Sequence, residues 1–211
     1  DCDRRVEEAK KYLGQRIPLN KIVSSDEKQF DINDHGTRFQ WVAPGEATIA
    51  RSREHYAPAL QVWGAIGIGY RSLEVFPFFR ESDDGRQIPG FRLNDERYIR
   101  RCLSPRVRDW RGSWLLQDGA RCHQTKRVHR YLEEKGVHVF DGWPARSPML
   151  NPIENLWSVL QERVSRHAPR DREELAGFIR EEWEAIPQTL IDRLMRGFNR
   201  RLHHCVESGG R

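Results

Sequence analysis

Three acidic residues stand where a chain can bring distant carboxylates together. Asp118 closes the apolar segment Leu115-Leu116-Gln117-Asp118-Gly119. Glu154 sits inside Ser147-Pro148-Met149-Leu150-Asn151-Pro152-Ile153-Glu154-Asn155-Leu156-Trp157, and Asp26 lies far upstream in Ser24-Ser25-Asp26-Glu27. An acid at a strand end and another at a helix start can converge in a fold. Three converging carboxylates form an oxygen cage for a hard divalent cation such as Mg²⁺. A pair of such ions suits in-line displacement at phosphorus. The chemistry these residues imply is therefore phosphodiester chemistry on DNA.

Each acid also has a plainer local role. With Asn151 as N-cap and Pro152 at the first helical position, Glu154 falls at N3, the glutamate position of a capping box. On local chemistry alone capping is the stronger reading, and it competes with metal binding for one carboxylate. Asp118 by itself is a strand-end turn former. Asp26 suits a turn or helix cap, with Glu27 beside it as a rival ligand. His123, five residues after Asp118, either approaches a scissile phosphate or orders the loop as a hydrogen-bonded structural residue. Asn155 is a further candidate for metal or substrate contact, although an asparagine in a first helical turn is unremarkable.

The elements that position these residues follow from pattern. Arg4 to Leu13 is expected to be a helix, stopped by Gly14 and Pro18. Leu19 to Val23 is a short strand leading into Ser24–Glu27. Gln29 to Ile32 and Thr37 to Val42 flank the turn Asn33-Asp34-His35-Gly36 as a hairpin, and Ala43 to Tyr56 is a loop. Leu60 to Ile68 and Leu73 to Phe79 form a second antiparallel pair around Gly67 and Gly69, and Arg80 to Arg92 is a charged surface loop. Asn94 caps a helix to Leu103, which Pro105 ends. Trp114 to Gln117 is a short buried strand, Thr125 to Lys135 a helix with Gly136 past its end, and Val137 to Phe140 another strand. The tail is helical: Asn151 to about Arg166, Asp171 to Ala185, and Thr189 to about Cys205. Antiparallel strands followed by strand–helix alternation predict an α/β fold with a mixed sheet flanked by helices, in one domain without internal repeats.

Composition bounds the classes. The chain has 211 residues, 37% hydrophobic and 32% charged, with a mean hydropathy of −0.79. No apolar run approaches the roughly 18 residues of a membrane span, and no signal peptide opens the chain. It begins at Asp1 without methionine, which points to a fragment of a longer protein. A net charge of +5 and a pI near 9.2 suit a polyanionic partner. The surplus is arginine, 30 against 6 lysines; arginine suits phosphate forks, though a GC-rich genome gives the same bias. Two basic faces stand out: Arg97, Arg100, Arg101, Arg106, Arg108 and Arg111, and Arg193, Arg196, Arg200 and Arg201 on the last helix. Solvated faces are their default, with contact to DNA backbone the functional reading. The seven tryptophans, Trp63 and Trp157 among them, are assigned to core packing. Cys2, Cys102, Cys122 and Cys205 are widely spaced without a C-x-x-C pair, as in reduced intracellular proteins rather than zinc or disulfide frameworks.

Five blocks carry a resemblance. Ser25-Asp26-Glu27-Lys28-Gln29-Phe30 is similar to the S-D-E-S-x-F segment of Tc/mariner-type transposases, Val62-Trp63-Gly64-Ala65 to their V-W-G block, and Asn94–Ile99 to N-x-x-R-Y-I. Gln117–His123 resembles Q-D-N-x-x-x-H, and Trp143–Trp157 resembles W-P-x-x-S-P-D-L-N-P-I-E-N-L-W almost throughout. The resemblance implies a ribonuclease-H-like catalytic domain with Asp26, Asp118 and Glu154 as the acidic triad holding Mg²⁺, replaceable by Mn²⁺, as two ions. It implies cleavage at transposon ends, attack of the freed 3′-hydroxyl on target DNA at a TA dinucleotide, a homodimeric synaptic complex, no membrane, and work in the nucleus of a eukaryotic host or the nucleoid of a bacterium. Gly119 stands for the family's usual Asn and Met149 for its usual Asp. The 35 residues between Asp118 and Glu154 are one more than in many relatives, with Gly142 as the insertion. Nothing here resembles the paired helix-turn-helix region that precedes this domain in the family. Two other readings are a domesticated, catalytically inactive DNA-binding derivative and a ribonuclease-H-type nuclease acting on RNA–DNA hybrids.

Overall fold

The computed structural model describes residues 2–32, 59–77, 79–81, 87–89, 93–144 and 147–210. Its axis is a ten-residue strand, β1 (Ile22–Asp31). β1 pairs antiparallel with β2 (Ala59–Gly67), which turns back into β3 (Tyr70–Val75). A separate small hairpin follows, β4 (Phe79–Glu81) with β5 (Gln87–Pro89). On its other edge β1 pairs parallel with β6 (Trp114–Leu116), which pairs parallel with β7 (His138–Val139). The sheet order is therefore β3-β2-β1-β6-β7, mixed as expected.

The helices are α1 (Cys2–Gln15), α2 (Asp95–Arg97) continuing as a π-helical stretch (Tyr98–Leu103), α3 (Lys126–Glu134), α4 (Pro152–Arg166), α5 (Arg172–Ala185), α6 (Gln188–Arg196) and α7 (Phe198–Glu207). Their starts follow the local signals: Asn94, Thr125 and Asp171 each accept a backbone N–H of the first turn. None is long and apolar enough to cross a membrane among the described residues.

Strand alternation sorts the side chains into two cores. Ile22, Val62, Ile66 and Leu116 face a core shared with α1, α4, α5, α6 and α7. Their neighbours Val23, Trp63, Ala65 and Leu115 face a second core under the π-helical stretch and α3. Trp63, Trp110, Trp157 and Trp183 are fully buried, as the packing assignment expected.

Three expectations are corrected. The expected strand at Leu19–Val23 is a 3₁₀ turn over Leu19–Lys21, and the strand begins at Ile22 and runs straight through Ser24–Asp31. Polar residues are tolerated there because Ser24 and Ser25 find partners on Asn151 and Leu116. The loop expected at 80–92 contains the β4–β5 hairpin. The helix expected from Thr189 to Cys205 breaks at Gly197, the weakest helix former in that run, into α6 and α7. The remainder of the hairpin expected at 29–42, and the loop at 43–56, lie outside the described residues beyond Ile32.

Candidate active site

Register brings the first two acids together. Ser24 on β1 is level with Leu116 on β6 in the parallel ladder. Asp26 and Asp118 each lie two residues further along in the same direction, so both emerge at the carboxyl edge of β6. Asp118 bends away there, held by the Ala120 N–H donating to its Oδ1 at 2.9 Å.

The third acid arrives through a tertiary cap. The Asn151 side chain does not cap its own helix. Its Oδ1 accepts from the Ser24 hydroxyl at 2.5 Å, its Nδ2 donates to the Ser25 carbonyl at 3.1 Å, and the Ile153 N–H donates to Ser24 Oγ at 3.2 Å. Thus β1 supplies the cap of α4, which plants Glu154 beside Asp26. The capping-box role weighed for Glu154 does not form: the Asn151 N–H it would receive is committed to Pro148 O. Ser24→Ala is expected to cost about 1–3 kcal/mol, because it orphans two buried groups at once. Urea denaturation measures this, and an unchanged midpoint would show that the helix end is satisfied otherwise.

Trp157, one turn beyond Glu154 on α4, donates its Nε1–H to Asp26 Oδ2 at 3.1 Å. Sequence reasoning placed Trp157 in the core only; it is both core residue and support of the acid. Burial first, then Glu154, Glu27 and Asp118, push the Asp26 carboxyl up to about 8. Burial also raises Glu154, with Lys28 opposing and Asp118 adding to the rise. The acids therefore repel one another, and their donor atoms are all oxygen. Such a set fits a hard divalent cation, whose charge relieves the repulsion.

Glu27 is not a rival to Asp26, because successive side chains on a strand point to opposite faces. It turns toward His123, which is 1% exposed and spans two carboxylates: Nδ1 lies 2.8 Å from Asp118 Oδ1 and Nε2 lies 3.1 Å from Glu27 Oε1. Burial pulls the imidazole pKa down, but the Tyr98 phenol and hydrogen bonds to Asp118, Cys122 and Glu27 more than offset it and hold it well above the usual range. Burial raises Asp118, yet the His123 hydrogen bond and charge and the Ala120 amide outweigh it and leave this carboxyl low. Ligand atoms of Glu27, Asp118 and His123 lie within 4.8 Å of one another. Hydrogen-bonded to both carboxylates, His123 ties the Asp118 loop to β1. The Tyr98 ring packs on it at 4.4 Å between centroids, and the Tyr98 hydroxyl donates to Gln117 Oε1 at 2.7 Å.

The remaining candidates divide. Asn155 is exposed on the first turn of α4. Arg101 is salt-bridged to Glu74 at 2.6 Å, and Arg106 is held by Leu73 O, Cys102 O and Glu74 with its guanidinium over Trp63. Those two arginines tie the π-helical stretch to β3, which corrects the single basic face expected over 97–111; Arg97 is half-buried and Arg100 exposed. Arg196 and Arg200 are exposed on two different helices, and Arg201 donates to Met149 O. Met149 is 45% exposed in the turn before α4, and Gly142 takes a φ of +79° that its lack of Cβ permits. A Cβ at Gly119 meets nothing within 4 Å, and nothing in the structure explains the glycine there.

The sheet order and edge-clustered acids define a ribonuclease-H-like fold, and known structures agree. The catalytic domain of Mos1 mariner transposase superposes with a TM-score of 0.72 at 19% identity, covering 100% of this chain and 94% of that one. A pre-cleavage Mos1 transpososome gives 0.80 at 18% identity, covering 99% of this chain and 62% of that one. Residues 21–176 match the DDE superfamily endonucleases, and the chain belongs to that family. It is 31% identical to the Transposable element Tc1 transposase of Caenorhabditis elegans over 98% of this chain and 75% of that protein. Against the Tc3 transposase of the same organism it is 29% identical over 98% of its length, and it spans 61% of that relative.

Proposed function

We propose that these residues form the single catalytic unit of a Tc/mariner-type transposase, cutting DNA at transposon ends and joining the freed 3′-hydroxyl to target DNA. What supports this reading is the register that carries Asp26 and Asp118 to the same edge of β1 and β6, with Glu154 at the start of α4, and an Asp26 carboxyl pushed up to about 8 by burial and by Glu154, Glu27 and Asp118. The three acids would hold Mg²⁺ or Mn²⁺, as two ions. Bound there, the metal supplies Lewis-acid charge stabilisation for displacement at phosphorus. His123 and Glu27 hold Asp118 in place, Trp157 holds Asp26, and Ser24 with Asn151 holds the helix bearing Glu154. Supporting the assignment, Mos1 structures include a paired-end complex with Mn, a catalytic domain with Mg and a strand transfer complex. We read the partners as transposon-end and target duplexes, with a second copy of the chain in the synaptic complex, and the place of work as the nucleus in a eukaryotic host.

The test is incubation with a duplex carrying a flanking inverted repeat: strand cleavage in Mg²⁺ or Mn²⁺, then joining to a plasmid, is expected. DNA binding without strand breakage in either metal would sink the catalytic reading. A second outcome follows from Asp26. Because its proton competes with the metal, Mg²⁺ affinity should rise as pH climbs toward 8 and level off above, by up to about tenfold per unit for one proton. Calorimetry at pH 6.5 and 8.5 measures this, and pH-independent affinity would remove Asp26 from the metal site.

A further inference from the structure

The loop and helix that follow Asp118 carry cations that the site described above does not use. Arg121 is exposed in the turn between Asp118 and α3, and Lys126, Arg127 and Arg130 are exposed on α3 itself. None of the four has an ion pair or side-chain hydrogen bond with any described residue. On a helix with 3.6 residues per turn, Lys126, Arg127 and Arg130 share the arc opposite Val128 and Leu132, which α3 buries in the second core.

The charges run against the helix. α3 has cations in its first turn and Glu133 and Glu134 in its last, whereas the macrodipole favours the reverse. Lys126 and Arg130 are also like charges at i and i+4. α5 starts with Glu173 and Glu174 and α4 ends with Arg163 and Arg166, as the rule prefers, whereas α7, with Arg200 and Arg201 near its start and Glu207 at its end, shares the inversion of α3. Unpaired cations that oppose their own helix are not there for the helix. The place of Arg121 is also determined, because His123 and the Ala120 amide lock its turn to Asp118, and α3 follows from the Thr125 cap two residues after His123.

We propose that Arg121, Lys126, Arg127 and Arg130 form a docking surface for the phosphates of the DNA strand whose scissile phosphate lies at the acids. The proposal rests on the catalytic reading above. Acids at the reaction centre repel a polyanion, so a strand reaching them needs cations close by on the same edge. DNA carries one charge per about 3.4 Å of strand. The roughly 6 Å of helix between Lys126 and Arg130 therefore spans about two phosphates, and arginine forks suit them. Such contacts position the strand without reading sequence.

The experiment compares the 211-residue chain, the variant Arg121→Gln/Lys126→Gln/Arg130→Gln, and a control that removes three charges elsewhere, Arg166→Gln/Arg170→Gln/Arg180→Gln. Binding of a fluorescent duplex is followed by anisotropy in EDTA across a salt series. At about 0.9 per phosphate contact, the slope of log K against log salt should fall by between 2 and 3 in the patch variant. Its affinity at low salt should drop at least tenfold more than the control's. Its melting temperature should equal or exceed that of the parent, since the conflict with the macrodipole is relieved. A slope equal to the control's overturns the surface, as does a fall in melting temperature that accounts for the lost binding. Separate assays on uncut ends and on pre-cut ends joining a plasmid tell whether the phosphates belong to the transposon end or the target. If the parent chain binds and cuts DNA and the patch variant does both equally well, the surface alone fails. If the parent neither binds nor cuts, the catalytic reading fails with it.

Discussion

Asp118→Asn is expected to lower metal-dependent DNA cleavage at least a thousandfold, a loss of about 4 kcal/mol of transition-state stabilisation, with the fold intact. Asp26→Asn and Glu154→Gln should match it, because each removes one anionic oxygen donor while preserving shape. The amide at 26 still accepts the Trp157 N–H, so it leaves that hydrogen bond in place. Stability separates charge from structure. The Asp26 pKa is raised from 3.8 to about 8 in the fold, so the folded chain binds this proton more tightly than the unfolded chain. The resulting stabilisation is fully present below 3.8 and is lost as pH rises toward and through 8. Metal-free Asp26→Asn escapes that loss, so its melting temperature should exceed that of the parent at pH 8.5 and the gap should narrow toward pH 5. Added Mg²⁺ should raise only the parent. Full cleavage by any of the three amides would dissolve the triad, and equal pH profiles of stability would show that Asp26 is not strained by its neighbours.

Gly64→Val should be the most damaging single change away from the acids. Gly64 is level with Asp26 in the antiparallel ladder, and a Cβ there would lie 2.6 Å from Trp157 Cη2 and 3.2 Å from Ile153 Cδ1. The far edge of the indole occupies the space a side chain at Gly64 would take, and in that position its Nε1–H reaches Asp26. Overpacking of this kind costs about 1–3 kcal/mol, with valine at the upper end and alanine at the lower. Cleavage should fall as well, since the displaced indole releases the Asp26 carboxylate. Gly64→Ala/Trp157→Phe distinguishes the two effects: the smaller ring should recover much of the urea midpoint without restoring the hydrogen bond, leaving cleavage impaired. Parent-like stability in Gly64→Val would show that Trp157 moves aside freely.

How much of this was legible can be judged residue by residue. The V-W-G block could be recognised, but the reason for its glycine could not, because Trp157 lies 93 residues further along the chain. His123 was legible as an orderer of the Asp118 loop, whereas Glu27, its second partner, looked like a competitor of Asp26. Period-two alternation resolves the two once Asp26 and Glu27 are known to lie inside one strand, and the polar run Ser24–Glu27 hid that strand. The basic face expected over 97–111 lost Arg101 and Arg106 to Glu74, an acid on another strand. The cations at the start of α3 are visible in the sequence, but only the fold sets them beside the turn that holds Asp118.

By itself the sequence determined what depends on neighbours a few residues away. It set the acids at element ends, the Asn94, Thr125 and Asp171 caps, the apolar periods that became strands and helices, and the motif order that marks the family. Tertiary structure decided which polar groups satisfy one another: the Ser24 hydroxyl on Asn151 across 127 residues, Trp157 on Asp26 across 131, His123 on Glu27 across 96. A buried donor or acceptor must find a partner somewhere, but its own sequence window does not say where. Only when the sheet closes and α4 docks do the registers choose the pairs, and with them the point where the acids meet.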